Sequence, residues 1–193
     1  MNALPPLGAQ VPRRGNVVMR AMGRAILATL GWRIEGELPD LPRFVIAVAP
    51  HTSNWDFVVG VSAMFALDLR LAFIGKHTIF RGPFDPVLRW VGGIPVDRSA
   101  PHGVVAESVA AFARLERRIL VIAPEGTRKR VERFKTGFLH IARGAGVPVA
   151  LAALDYGARI VRLGPTFDIG PDIEAERMRV EAYFAPIRGK RAR

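Results

Sequence analysis

The sequence predicts an α/β fold: a mostly buried mixed sheet flanked by helices, preceded by an amphipathic helix near the N-terminus. Three observations carry that expectation. Apolar runs of strand length at 44–49 (FVIAVA), 119–123 (ILVIA) and 147–154 are continuous rather than alternating, as in strands buried on both faces. Segments with helical spacing of apolar residues lie between them. Half of the 193 residues are hydrophobic and 23% are charged, which supplies a sizeable core and excludes a disordered chain.

Residues 15–30 read as the first helix. Arg20 and Arg24, four apart, share one face, and Val18, Met22, Ala25, Ile26 and Leu30 line another. At about 1.5 Å per residue it reaches near 24 Å, short of a hydrocarbon core of roughly 30 Å. It is therefore expected to lie in a membrane interface or to pack on its own domain. Its uncharged stretch, 25–32, is too short and too close to strand-like sequence for a signal peptide. The strand 44–49 ends at Pro50. The helix 56–67 is too densely apolar for a surface. A short strand at 71–74 and a helical turn at 86–90 come next. The clearest helix runs over 104–119, with Val105, Val109, Phe112 and Leu115 or Ile119 opposite Glu107, Arg114 and Arg118. A helix at 137–143 ends in Gly144, and strands follow at 147–154 and 159–163. No repeat, heptad or linker divides the chain.

The net charge is +11, and it is unevenly placed. Residues 1–34 hold Arg13, Arg14, Arg20, Arg24 and Arg33 with no acid, and residues 177–193 hold six basic groups against Glu181. A near-neutral body with basic ends suits an anionic surface, lipid or nucleic acid. Few aromatic residues occur in either end, which counts against base stacking and nucleic acid. Cysteine is absent, which excludes disulfides, thiolate metal sites and a cysteine nucleophile. The four histidines, His51, His77, His102 and His140, have no metal-ligand spacing, so no metal is expected.

Chemistry in such sheets collects beyond the carboxyl ends of strands. Two polar clusters sit there: Pro50-His51-Thr52-Ser53-Asn54-Trp55-Asp56, and Pro124-Glu125-Gly126-Thr127-Arg128. With Ser53 or Asn54 capping a helix, Asp56 falls in its first turn and can reach back to His51. An aspartate holding one imidazole nitrogen leaves the other free as a base. Asp56 could equally complement the helix dipole beside an ordinary loop histidine. In the second cluster, backbone amides at Gly126, the Thr127 hydroxyl and the Arg128 guanidinium make a cradle for phosphate or carboxylate, or simply a turn. The chain has no G-x-x-x-x-G-K-[ST], no G-x-G-x-x-G and no G-x-S-x-G.

Taken together and in this order, the clusters resemble the glycerophospholipid acyltransferases, and the lysophosphatidic acid acyltransferases in particular. The family's H-x-x-x-x-D is matched by His51 to Asp56. Its second motif is matched by Gly93-Ile94-Pro95-Val96-Asp97-Arg98, and its Pro-Glu-Gly-Thr-Arg by residues 124–128. Phe134-Lys135-Thr136-Gly137-Phe138 is similar as well, and Val147-Pro148 matches a fourth motif in part. The resemblance implies His51 as general base, with Asp56 fixing its tautomer. Lys76, Arg98, Gly126, Thr127 and Arg128 are implied to bind the phosphate-bearing acceptor. Glu125 is implied to order either its loop or the acceptor.

The activity so implied is transfer of a fatty acyl group from acyl-CoA or acyl-carrier protein to a lysophospholipid, 1-acylglycerol-3-phosphate foremost, without a cofactor. Another lysolipid or aminolipid acceptor, a thioester hydrolase and a non-catalytic anionic-lipid module are the competing readings. On this view residues 1–31 form a basic segment with the interfacial helix, and residues 32–193 form the acyltransferase domain with a basic C-terminal tail. The protein is expected at the cytoplasmic face of the inner membrane, peripherally bound. Phe57, Val58, Val61, Met64 and Phe65 are candidates for an acyl groove, or for ordinary core.

Overall fold

A computed structural model describes residues 4–97, 101–129 and 131–191. Arg98, singled out above, lies outside the described residues. Among those described, one seven-stranded sheet has the order β1-β7-β6-β2-β5-β3-β4. Its strands are β1 (Arg33–Gly36), β2 (Arg43–Ala49), β3 (Ala72–Lys76), β4 (Gly93–Val96), β5 (Arg118–Ile122), β6 (Val149–Asp155) and β7 (Ile160–Phe167). Strands β6, β2, β5, β3 and β4 run parallel, whereas β7 pairs antiparallel with β6. The sheet is thus mixed and mostly buried, as expected. The parallel block has one consequence for function. The carboxyl ends of five adjacent strands open onto the same edge.

Among the described residues, six α-helices complete the fold: α1 (Val17–Thr29), α2 (Trp55–Ala66), α3 (Asp85–Trp90), α4 (Pro101–Arg114), α5 (Gly137–Ala145) and α6 (Ile173–Phe184). Alternation along β2 sorts the core into two layers. Phe44 and Ile46 face one cluster with Val59, Ala63 and Phe65 of α2 and Leu27 of α1. Val45, Ala47 and Ala49 face the other, with Phe112 of α4, Phe138 and Leu139 of α5, and Val180 and Phe184 of α6. The helix expected over 104–119 stops at Arg114, because Ile119 is fully buried in β5. The helix expected to end at Gly144 continues to Ala145, and Gly146 closes it at φ +61°.

Helix α1, capped by the Asn16 side chain, packs against the C-terminal half of α2. Gly23 permits this closeness: a Cβ there would lie 2.5 Å from Ala66 N and from Ser62 O. The buried residues are Gly23 and Leu27, not the stripe expected from spacing. Val18, Met22 and Ala25 face outward, while Ile26 and Leu30 are half-buried. Val11 and Leu27 join the same buried cluster as Ile34 and Phe44, so residues before 32 share a core with those after it. No described helix is long and apolar enough to cross a membrane.

Candidate active site

The parallel strand order sets out the motif residues. Strand β2 leads through Pro50 into His51, and its neighbour β5 leads into Pro124–Arg128. Lys76 ends β3, on the far side of β5. His51 Nδ1 lies 3.3 Å from Asp56 Oδ2, with Asp56 in the first turn of α2 as the spacing predicts. The same oxygen accepts from the backbone N–H groups of Thr52 (2.6 Å) and Ser53 (2.7 Å). The helix start is closed locally as well, by Trp55 N–H donating to Ser53 Oγ.

Asp56 is 3% exposed. Burial pushes its carboxyl up, but hydrogen bonds from His51, Tyr156, Ser53 and Thr52 outweigh that and hold it below the usual range. An ionised Asp56 on Nδ1 selects the tautomer that leaves Nε2 unprotonated. That nitrogen can take a proton.

Glu125 is also 3% exposed, and its Oε2 accepts from the His51 backbone N–H at 2.6 Å. The carboxylate thus orders the histidine turn from the adjacent strand. Gly126 sits at φ +64°, with the Lys135 stem packed above it, and Lys129 N–H donates to Thr127 Oγ1. Only a residue without a Cβ fits this turn comfortably. Arg128 and Lys76 are exposed on the rim.

These groups border an open cavity of about 940 Å³. His51, Asp56, Lys76, Gly126, Thr127 and Arg128 are among its polar lining, and Phe57, Val61, Met64 and Phe73 are among its apolar lining. Of the proposed groove residues, Val58 is instead an exposed surface residue, and Phe65 is core packed beside α1 and Trp90. The cavity therefore joins a candidate base, exposed cations and apolar side chains.

Two features escaped the sequence reading. Tyr156 O–H donates to Asp56 Oδ1 at 2.7 Å. It stands one residue beyond β6, at the carboxyl edge where chemistry was sought, and that position was the available signal. The path of the basic C-terminal end is the second; Arg177 and Arg179 lie in α6, where Arg177 pairs with Glu174 and Glu181. Residues 185–191 cross the His51–Asp56 turn: Arg188 O accepts from Tyr156 N–H at 2.8 Å, and the Lys190 ammonium lies 4.7 Å from the Trp55 ring centre. Gly189 packs against Thr52 and Pro50.

The chain is similar to known proteins in sequence and in fold. The chain is 33% identical over 144 residues to the 1-acyl-sn-glycerol-3-phosphate acyltransferase of Escherichia coli, covering 64% of this chain and 57% of that protein. The enzyme of the same name from Haemophilus influenzae is 30% identical over 148 residues, covering 72% and 60%. The chain thus spans less than two thirds of these curated relatives. Its fold is similar to the crystal structure of the 1-acyl-sn-glycerophosphate acyltransferase PlsC from Thermotoga maritima. The TM-score is 0.63 at 19% identity, over 86% of this chain and 75% of that one. The Acyltransferase family model matches residues 35–153, which include the His51–Asp56 pair and the Pro124–Arg128 turn, and the chain belongs to that family.

Proposed function

We propose that the protein transfers a fatty acyl group from acyl-CoA or acyl-carrier protein to the free hydroxyl of 1-acylglycerol-3-phosphate, giving phosphatidic acid. The observation that carries this reading is the His51–Asp56 pair on the lining of a largely apolar cavity that Arg128 and Lys76 also border. His51 Nε2 takes the proton of the acceptor hydroxyl as its oxygen attacks the thioester carbonyl. The C–S bond then breaks, the new ester forms, and the departing thiolate takes the proton back. The reaction balances with two substrates and no cofactor. Arg128 and Lys76, with Arg98, hold the acceptor phosphate, and Thr127 and Gly126 shape the turn that presents Arg128. Glu125 holds the His51 loop. The apolar lining receives acyl chain.

A membrane surface is the natural source of such an acceptor. Val17, Val18 and Met22 of α1 are exposed, as are Phe84, Val87 and Trp90 at α3. Arg14, just before α1, lies against α2 and α3, its guanidinium 5.4 Å from the Phe65 ring centre and 5.2 Å from that of Trp90. Arg20 and Arg24 are on α1 as well, and Arg13 precedes it. Apolar side chains flanked by arginines favour peripheral binding to anionic lipid, at the cytoplasmic face where the thioester donors are.

The test is thiol release from acyl-CoA and acyl-carrier protein against a panel of lysolipids, with and without acceptor. Release that requires 1-acylglycerol-3-phosphate, and falls on the order of 10²–10⁴-fold in His51→Ala, is expected. Acceptor-independent release would replace the reading with a hydrolase. Preference for another lysolipid would change the acceptor alone.

A further inference from the structure

We propose that Tyr156 is a positioning residue of this site, holding Asp56 so that one carboxylate oxygen alone faces His51. The proposal rests on the acyltransferase reading above. Oδ1 of Asp56 accepts from the Tyr156 hydroxyl at 2.7 Å, while Oδ2 accepts from Thr52 and Ser53 and lies against the imidazole. Both oxygens are thereby bonded, which sets the plane of the carboxylate against the imidazole. A general base oriented by a carboxylate depends on that orientation, because the wrong tautomer presents N–H where a lone pair is needed.

Tyr156 is itself held. Its ring meets Trp32 edge-on, with centres 4.8 Å apart, and its backbone N–H donates to Arg188 O in the segment crossing the His51–Asp56 turn. Strand β6 pairs directly with β2, so the residue after β6 arrives beside the turn after β2. Burial, and then the bond to Asp56, push the Tyr156 hydroxyl above its ordinary pKa, so it stays a donor throughout the working range. The hydroxyl touches Asp56, and it acts on the reaction through that residue.

Tyr156→Phe keeps the ring and removes the hydroxyl. Its kcat is expected to fall about 10- to 100-fold, with KM for donor and acceptor within about twofold of wild type. In an Asp56→Asn background the same substitution is expected to cost less than about twofold, because the group it positions is gone. Imidazole ¹⁵N resonances of His51 should move toward the Nε2-protonated tautomer in Tyr156→Phe. Wild-type kcat, an additive loss in the Asp56→Asn background, or an unchanged tautomer would each overturn the assignment. The resonance measurement needs no substrate. A tautomer shift in a protein inactive toward every thioester and lysolipid would therefore retire the acyltransferase reading and leave the positioning role standing.

Discussion

The backbone N–H of His51 donates to the buried carboxylate of Glu125 at 2.6 Å, across adjacent strands and a separation of 74 residues. The first and third motifs are therefore one structural unit. Truncation in Glu125→Ala orphans a partly buried donor, which costs about 1–3 kcal/mol, or roughly 5- to 150-fold. That loss is expected in kcat, with acceptor KM little changed, whereas Glu125→Gln keeps a carbonyl acceptor and retains most activity. Steady-state kinetics on both variants check this. A rise confined to acceptor KM would make Glu125 an acceptor ligand instead.

Asp56 ties stability to pH. Burial raises its pKa, and hydrogen bonds from His51, Tyr156, Ser53 and Thr52 more than offset that, so the folded value lies below the unfolded one. Such a group stabilises the fold fully above the ordinary aspartate pKa of about 4, and loses that contribution as pH falls through the folded value. Wild type should exceed Asp56→Asn in melting temperature at pH 7, with the gap closing below about pH 4. Thermal unfolding of both proteins from pH 3 to pH 7 measures it. A gap that widens in acid would mean that the carboxyl is better accommodated protonated.

How much of this was legible depended on distance along the chain. His51 and Asp56 are five apart, and a helix start between them brings them together, so the pair could be read locally. Their partners could not. Glu125 reaches His51 only because β5 lies beside β2, and Tyr156 reaches Asp56 across 100 residues only because β6 lies on the other side. Strand order is a tertiary property that apolar runs do not encode. Helix α6 went unread because its charges hide its pattern: Arg177 is buried by pairing with Glu174 and Glu181 rather than by an apolar face. On α1 the apolar spacing pointed to Met22 and Ile26, while the small Gly23 made the contact.

Arg128 stands exposed on the cavity rim, beyond a turn that Gly126 closes. A charge-assisted contact to phosphate contributes about 1.5–3 kcal/mol, or roughly 10- to 150-fold. Arg128→Ala should raise KM for 1-acylglycerol-3-phosphate by about that factor and leave the thioester KM within about twofold. Kinetics with each substrate varied in turn distinguish the two. Equal damage to both would mark a structural arginine.

Helix α1 presents two faces, and they make separable predictions. Gly23 and Leu27 cover Phe65 and Ala66, so deleting residues 1–31 strips the core of α2. That deletion is expected to lose folded signal, as follows for a helix that packs on its own domain. The outward face offers the cleaner experiment, because Val18 is 70% and Met22 40% exposed and neither supports the core. Burying an apolar side chain in a membrane interface is worth about 1.5–3 kcal/mol at most. Each nearby arginine adds about 1 kcal/mol, screened by salt over roughly 8–10 Å. Val18→Asp with Met22→Asp should therefore weaken binding to anionic vesicles about 10- to 100-fold while the melting temperature holds. High salt alone should release wild type only in part, because the apolar contribution does not screen. Vesicle co-sedimentation at low and high salt, with both proteins shown to be folded, measures each effect. Undiminished binding by the doubly substituted protein would move the membrane contact away from α1, to the exposed Phe84, Val87 and Trp90 at α3.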